Sequence, residues 1–315
     1  MKNKKFCNFG IGVLFICNFA LAGCQNQYLH KDNRVMMGTF VEVTAQDGRA
    51  AVIVFDEFKR VEGLLSKYNP QSEVSRLNAA GRLKVSPETF SLLKKAKEFW
   101  GLTDGALDIT VAPLIDLWGF TDKRYRVPDQ KEIKDTLTRV GMDKIRFKED
   151  DSVVEFIVPA MKIDLGAIAK GYALDCAVRK LKQNNIESCL INAGGQVFCL
   201  GEKPGGPWRI AINDPEGRGL RGFLELKDKS AATAGGYEQF FVKDKKRYAH
   251  IIDPKTGFPA ESGTVSVTVV ADDGLTADAL STAIFVLGKE KAGRLLTKFP
   301  GVEAKIIEKV HLGES

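Results

Sequence analysis

His250 is the histidine of this sequence that is best placed for proton transfer. The chain contains three histidines; His30 falls in a polar N-terminal segment and His311 lies four residues from the end, so only His250 is expected inside the fold. It precedes the turn-forming sequence 253–257, and loops held between strands often carry function. A neutral imidazole near pH 7 can take a proton from a hydroxyl group. The alternative is a buried histidine that satisfies its hydrogen bonds and has no chemical role.

Asp278 and Thr282 form a second candidate site. They lie four residues apart in a segment that is predicted to open a helix, so they share one helix face. Their carboxylate and hydroxyl oxygens are ligands of the kind that hard cations such as Mg²⁺ prefer. The alternative is helix capping, in which Thr276 is the N-cap residue and Asp278 interacts with the helix dipole.

The segment 162–172 predicts a strand, a tight glycine turn and then a helix. This geometry points backbone N–H groups and the positive end of the helix at one place, which suits a phosphate group. The segment is neither a Walker loop nor a GxGxxG motif, and a glycine turn that packs a helix on a sheet is the alternative. Paired glycines at 194–195 and 235–236 predict two further tight turns.

The first 23 residues predict a secretory signal. Three lysines among residues 2–5 precede an apolar run over 9–21 that is too short to span a bilayer. The run ends at Leu21-Ala22-Gly23-Cys24, which resembles a bacterial lipobox, so Cys24 is expected to carry lipid and 24–35 to form a polar tether. An ordinary signal peptide followed by a chance cysteine is the alternative. We therefore expect an extracytoplasmic lipoprotein anchored on the periplasmic side of a bacterial membrane.

Composition excludes several classes of protein. The contents of 44% hydrophobic and 27% charged residues are those of a folded globular protein. The net charge of +6 falls to about +3 once the lysines of the signal are removed, which argues against a nucleic-acid partner. Three thiols remain in the mature chain, at Cys176, Cys189 and Cys199, and an odd number cannot all pair. They lie in apolar runs, so buried and unreactive thiols are expected.

The order of the elements predicts an α+β fold. Strand-like alternation covers 39–45, most of 189–212 and 264–271, whereas helical spacing covers 52–65 and 277–287. The strands follow one another in antiparallel-looking runs without strict βαβ alternation. We therefore expect one domain over 36–313, with mixed, largely antiparallel sheets, flanking helices and a ligand cleft between them.

Nine short segments between residues 37 and 282 together resemble the ApbE family of FAD:protein FMN transferases. They are Met37-Gly38-Thr39-Phe40, Ser66-Lys67-Tyr68, 103–110, 113–120, 164–172, Ala193-Gly194-Gly195, 208–212, 250–257 and 277–282. The resemblance implies an enzyme that uses Mg²⁺ to transfer the FMN half of FAD to a Thr or Ser of an acceptor protein, with release of AMP. It also implies that the cleft of the domain is an FAD cleft.

The resemblance assigns roles to individual residues. Those that would line the FAD site are Met37, Tyr68, Ala106, Leu107, Asp108, Asp164, Lys170 and Ile252. The metal would be held by the backbone carbonyl of Ala167 with Asp278 and Thr282, and His250 would be the catalytic base. Some relatives carry an acidic residue at the position of Lys170 and an aspartate at that of Ser281.

Three functions are compatible with these features. The first is FMN transfer, for which the expected acceptors are flavin-carrying subunits of membrane redox complexes. The second is an FAD pyrophosphatase that uses water and gives FMN and AMP. The third is an FAD-binding lipoprotein without catalysis. A pure binder has no need of Asp278, Thr282 and His250 together, so the sequence favours an enzyme.

Overall fold

The computed structural model describes residues 28–309, except 216 and 218. The predicted signal over 1–23 and the predicted lipid on Cys24 lie outside the described residues. Within them the α-helices are α1 (Arg49–Leu65), α2 (Glu73–Ala80), α3 (Pro87–Leu102), α4 (Ala112–Leu117), α5 (Gln130–Leu137), α6 (Ala169–Gln183), α7 (Gly274–Leu287) and α8 (Lys289–Leu296). Two short 3₁₀ helices cover Ile109–Val111 and Met142–Lys144.

The strands of the described residues fall into one large sheet and three small ones. They are β1 (His30–Met36), β2 (Thr39–Ala45), β3 (Arg82–Lys84), β4 (Ile145–Lys148), β5 (Val153–Phe156), β6 (Cys189–Ala193), β7 (Gln196–Leu200), β8 (Trp208–Asn213), β9 (Leu220–Leu226), β10 (Lys229–Gly235), β11 (Phe240–Lys243), β12 (Lys246–Ala249), β13 (Thr264–Ala271) and β14 (Glu303–Glu308). The large sheet has the order β1-β2-β6-β7-β10-β13-β14, and the small sheets are β3-β5-β4, β8-β9 and β11-β12. Every pair in the described residues is antiparallel, which confirms the predicted α+β class.

Helices α1, α6 and α7 pack against the large sheet and form the main core. Phe55, Phe58 and Val61 recur at helical spacing on α1 and are fully buried, as predicted. On β2, alternate side chains such as Val41 and Val43 are buried on the same core. Each large apolar side chain buried in this way contributes about 1.5–3 kcal/mol. This layer fixes the helices that carry the candidate metal ligands.

Two smaller clusters cover other parts of the large sheet and the cleft. The β8-β9 hairpin packs Trp208 and Leu226 against Val197 and Ala231 of the large sheet. A further cluster joins Trp118, Ile133 and Ile252 to the β11-β12 hairpin, which packs Phe241 and Tyr248 against it; its other buried members are Leu114, Phe120 and Val140. The segment that carries His250 is therefore held on both sides by this cluster, through Tyr248 of β12 and Ile252.

The predicted tether over 24–35 is wrong for its last part. His30 to Met36 form β1, which pairs residue by residue with β2 from His30 opposite Ala45 to Met36 opposite Thr39. The side chains of β1 are mostly exposed because it is an edge strand, so their polarity does not oppose pairing through the backbone.

The three cysteines of the folded chain are free and buried, as predicted. Burial raises the pKa of Cys189 to about 12 and that of Cys199 to about 12, which keeps both as neutral thiols. In residues 28–309, no helix combines the length and the apolar character that crossing a bilayer requires.

Candidate active site

One cavity of about 400 Å³ brings the predicted site residues together. It is lined by Met37, Tyr68, Ala106, Leu107, Asp108, Asp164, Ala167, Lys170, His250, Ile252, Asp278 and Thr282. These residues come from six separate stretches of the chain, and each stretch is placed by a different part of the fold. The structure therefore confirms that they are neighbours, whereas their individual roles stay predictions.

The segment before α6 is not the strand that the sequence suggested. Ile163 exchanges two hydrogen bonds with the side-chain amide of Asn78, at 2.8 and 2.9 Å, instead of pairing with a neighbouring strand. The N–H of Asp164 donates to the carbonyl of Ile109 at 2.7 Å. The Asp164 carboxylate then accepts the N–H of Gly166 at 2.8 Å and closes the turn. Side chains of Asn78 and Asp164 and the main-chain carbonyl of Ile109 hold the backbone here, which places Asp164 at the wall of the cavity.

Asp164 is paired with a lysine that the sequence analysis did not select. Lys67 Nζ lies 2.8 Å from Asp164 Oδ2, and both side chains are largely buried. Burial acts against the charged lysine, but the Asp164 carboxylate more than offsets it, so the pKa of Lys67 is raised. The neighbouring Tyr68 ring is 67% exposed at the mouth of the cavity. An exposed ring in this position is free to stack on a planar ligand.

Helices α6 and α7 meet at Gly171 and build the most buried acidic site of the cavity. Gly171 donates its N–H to Asp278 Oδ2 at 3.0 Å, and Lys170 Nζ lies 3.8 Å from Asp278 Oδ1. Asp278 is only 5% exposed, and burial raises its pKa against the opposing charge of Lys170. The first turn of α6 therefore presents one of its N–H groups to a carboxylate rather than to a phosphate.

Only glycine fits at position 171. A Cβ there would lie 2.2 Å from the carbonyl oxygen of Gly274 and 2.8 Å from the N–H nitrogen of Leu275. Both atoms belong to the backbone of α7 and cannot rotate away. The close approach of the two helices brings the Asp278 carboxylate within reach of the α6 backbone.

The start of α7 differs from the capping alternative considered above. The N-cap residue is Asp273, which accepts the N–H of Thr276 at 2.7 Å, so Thr276 as the N-cap is wrong. Asp175 of α6 accepts the N–H groups of Gly274 and Leu275. With the helix end capped by these two residues, Asp278 is not needed as a cap.

The donor set fits a magnesium ion. Ala167, Asp278 and Thr282 line the same cavity and offer a carbonyl, a carboxylate and a hydroxyl oxygen. Asp278 is a buried carboxylate with one oxygen toward Lys170, and such a group is stabilised by a cation. In the described part of the chain, no cluster of three or more His, Cys, Asp or Glu could hold a metal. A single carboxylate suits Mg²⁺, which is usually held by one or two carboxylates together with substrate phosphates.

His250 is oriented by the carbonyl oxygen of Gln239. Its Nδ1 lies 3.1 Å from that oxygen, and its backbone N–H donates to the same atom at 3.0 Å. A carbonyl oxygen only accepts, so Nδ1 carries the proton and Nε2 keeps the lone pair. Burial lowers the pKa of His250 below its ordinary 6.5, and the positive charge of Lys170 acts in the same direction. The imidazole is therefore neutral at pH 7 and able to accept a proton through Nε2.

Asp108 and Met37 show local features that depend on the fold. Asp108 is 7% exposed, and burial raises its pKa to about 6, although two hydrogen bonds from Thr110 oppose the shift.

Met37 has a φ of +49°, uncommon for a residue with a side chain, and its N–H donates to Glu62 at 3.0 Å. The turn that joins β1 to β2 thus places Met37 in the lining of the cavity.

Three further residues of the cavity were missed by sequence reasoning: Lys67, Glu238 and Gln239. Lys67 adjoins Tyr68 in a segment that carried the resemblance, which is the signal that could have identified it. Glu238 follows the glycine pair at 235–236, where the predicted turn forms and the Glu238 N–H donates to the carbonyl of Gly235 at 3.3 Å. Burial raises the pKa of Glu238 to about 7, with Lys170 opposing the shift.

Relatives of known structure and named activity match nearly the whole chain. The FAD:protein FMN transferase of Treponema pallidum is 33% identical over 96% of this chain and 91% of its own length. That of Klebsiella pneumoniae is 35% identical over 88% of this chain and 90% of its own. The ApbE protein of Thermotoga maritima superposes with a TM-score of 0.83 at 37% identity, covering 89% of this chain and 94% of its own. The flavin transferase ApbE of Vibrio cholerae gives 0.80 at 31%, covering 90% and 94%.

A sequence model of the ApbE family matches residues 37–306, which is most of the described chain. The matched range begins and ends with residues that line the cavity or build the large sheet. Together with relatives above 30% identity along most of their length, this match shows that the chain belongs to the ApbE family.

Proposed function

We propose that this protein is a Mg²⁺-dependent FAD:protein FMN transferase that attaches FMN to a Thr or Ser hydroxyl of an acceptor protein. The observation that carries the proposal is that the imidazole of His250 and the buried carboxylate of Asp278 line the same cavity. A base for a hydroxyl group and a site for a phosphate-bound cation are the two parts that this reaction needs. The activity named for the relatives agrees with it.

The transfer forms one bond and breaks one. The hydroxyl oxygen of the acceptor attacks the phosphorus of the FMN half, the phosphoanhydride bond breaks, and AMP leaves with the bonding electrons. Nε2 of His250 takes the hydroxyl proton, because Nδ1 is already committed to the carbonyl of Gln239. A positioned base of this kind typically contributes about 10²–10⁴ in rate.

The remaining residues of the site would bind and orient FAD and the metal ion. Tyr68 lies at the mouth of the cavity, where its ring can cover the isoalloxazine. The Lys67–Asp164 pair lies beside it, with Lys67 Nζ 5.0 Å from the centroid of the Tyr68 ring. Lys170 places a positive charge beside Asp278, where the two phosphates would lie. Mg²⁺ held by Ala167, Asp278 and Thr282 would neutralise the charge that develops on the leaving phosphate.

Purified protein incubated with FAD, Mg²⁺ and a threonine-containing acceptor domain of a redox-pump subunit should label that domain with flavin. We expect in-gel flavin fluorescence on the acceptor, one AMP released per flavin attached, and loss of both with EDTA. An acceptor whose threonine is replaced by valine is the matched control. AMP and free FMN without a labelled acceptor would instead identify a pyrophosphatase, and bound FAD without either product a binding protein.

We also propose that the protein works outside the cytoplasm, held to the membrane by lipid on Cys24. The support is the basic and apolar sequence of residues 1–23 and the small residues before Cys24. Acceptors in membrane redox complexes would then lie on the same surface. A Cys24→Ala protein should be recovered in the soluble fraction after cell breakage, and firm retention of this variant in membranes would contradict the anchor.

A further inference from the structure

A second cavity of about 630 Å³ lies next to the cavity that holds the predicted FAD residues. The residues that line both are Met37, Gly38, Lys170, Thr233, Glu238, Gln239 and His250. His250 therefore stands at the boundary between two spaces. The larger space contains none of the predicted metal ligands and none of the predicted flavin contacts beyond Met37 and Lys170.

Strand β8 forms one wall of this second cavity. The consecutive residues Ile210, Ala211, Ile212 and Asn213 all line it, whereas β9 contributes only Leu224. Ile210 lies opposite Leu224 and both line the cavity, so part of the inner face of the hairpin borders it. Successive side chains of a strand point to opposite faces, so Ala211 and Asn213, which point away from that face, reach the cavity through the edge of the strand. At the other end of the hairpin the inner face is occupied by Trp208 and Leu226, which pack on the large sheet.

The edge of β8 that faces this cavity has no partner strand in the part of the chain that the structure describes. β9 is its single neighbour there, with a register that runs from Trp208 opposite Leu226 to Asn213 opposite Leu220. An unpaired edge presents a row of backbone N–H and C=O groups that can bind another extended chain. Such strand addition supplies affinity through the main chain and leaves side chains to specify the sequence.

We propose that the acceptor protein docks as an extended segment along the free edge of β8 and delivers its Thr or Ser hydroxyl to His250. This inference rests on the proposed function, because the occupant is the hydroxyl donor of that reaction. The hydroxyl must reach Nε2 of His250 from a side that FAD does not fill, and of the predicted flavin contacts the second cavity shares only Met37 and Lys170. A segment of four residues extends for roughly 13 Å, which matches the length of Ile210–Asn213.

The polar floor of the cavity supports a polypeptide occupant. Thr233 and Thr268 of adjacent strands share a hydrogen bond of 2.9 Å and line the cavity together with Ser266. The glycine turn at Gly194 and Gly195 lines another side and has no side chains to obstruct a backbone. A main chain lying here has hydroxyl groups beneath it and a strand edge beside it.

Hydrogen–deuterium exchange of the full protein tests the location directly. The probe is an acceptor domain of a flavinylated redox-pump subunit with its target threonine replaced by valine, so that no transfer occurs. We expect at least tenfold slower exchange of the β8 amides when this domain is added in the presence of FAD and Mg²⁺, and no change with FAD and Mg²⁺ alone. Protection by FAD alone would place nucleotide in the cavity and overturn the inference.

Proline substitutions in β8 provide a second test of acceptor docking on its free edge. Ala211→Pro and Ile212→Pro each remove one N–H, and these two groups point to opposite edges of β8. The variant whose N–H faces the free edge should lower kcat/KM for the acceptor at least tenfold and keep the wild-type affinity for FAD. Asn33→Pro, in the exposed edge strand β1, is the matched control and should leave acceptor use unchanged.

The outcomes separate this inference from the proposed function. Flavin transfer by the wild-type protein with unprotected β8 amides, or with unchanged acceptor kcat/KM in both proline variants, would overturn docking on β8 and leave the transferase standing. Wild-type protein that labels no acceptor would overturn the function, and the docking inference with it. If both proline variants lose FAD binding through misfolding, the exchange arm on the wild-type protein decides.

Discussion

Replacement of His250 by alanine lowers the expected rate of FMN transfer by about 10²–10⁴-fold, the usual contribution of a positioned base. FAD binding should persist, because the imidazole is oriented by a main-chain carbonyl and carries no charge at neutral pH. Single-turnover flavin fluorescence on the acceptor, with FAD affinity measured in parallel, separates the two effects. His30→Ala is the matched control, since His30 is exposed on β1.

The pH dependence of the transfer rate tests independently whether His250 is the base. Burial lowers the pKa of His250 below 6.5, so the basic form persists below the pH at which a free histidine gains its proton. The transfer rate should stay level down through pH 6.5 and fall only in more acidic solution, and this acidic limb should disappear in His250→Ala. Unchanged single-turnover transfer in the variant, or an acidic limb that survives the substitution, would show that another group is the base.

Asp278→Asn should reduce transfer by about 10²–10³-fold at any Mg²⁺ concentration. A bound metal supplies several kcal/mol of charge stabilisation, and each 1.36 kcal/mol corresponds to a factor of ten. The asparagine oxygen can still accept the N–H of Gly171, so the contact between α6 and α7 is retained. The urea midpoint of the metal-free protein should therefore stay the same or rise, because a buried charge has been removed.

Asp273→Asn is the control for that substitution. It makes the same chemical change five residues earlier on the same helix, and asparagine caps a helix about as well as aspartate. Titration calorimetry with Mg²⁺ in the presence of FAD should show binding to the wild type and to Asp273→Asn but not to Asp278→Asn. Full transfer activity in Asp278→Asn would show that Asp278 is not a metal ligand.

The sequence predicted those parts of the fold whose signal is local. Helical spacing of Phe55, Phe58 and Val61 and alternation in β2 each describe a buried face, and both elements formed as expected. The segment 162–165 was mistaken for a strand because its backbone partners are Asn78 and Ile109, far away in the sequence. Apolar residues look alike whether a strand or a side-chain amide satisfies their N–H groups.

The site was predicted from the resemblance more than from spacing. Asp278 and Thr282 on one helix turn left capping open. The interpretations are separated by the caps that Asp273 and Asp175 provide and by the contact of Asp278 with Gly171, 107 residues away. Glu238 had no pattern that singled it out, because its place in the cavity depends on the course of the chain between β10 and β11. Lys67 was named within a motif, but its pairing with Asp164 depends on the fold.

The pairing of β1 sets a short reach for the whole enzyme. β1 begins at His30, so five residues, 25–29, separate the proposed lipid on Cys24 from the edge of the large sheet. The six chain steps from Cys24 to His30 span at most about 20 Å. A protein anchored in this way can move only within a thin layer next to the bilayer, because the link between the lipid and the folded domain is short. With the proposed lipid on Cys24, acceptor domains would have to enter that layer to be flavinylated, which would favour partners that are themselves held at the same membrane surface.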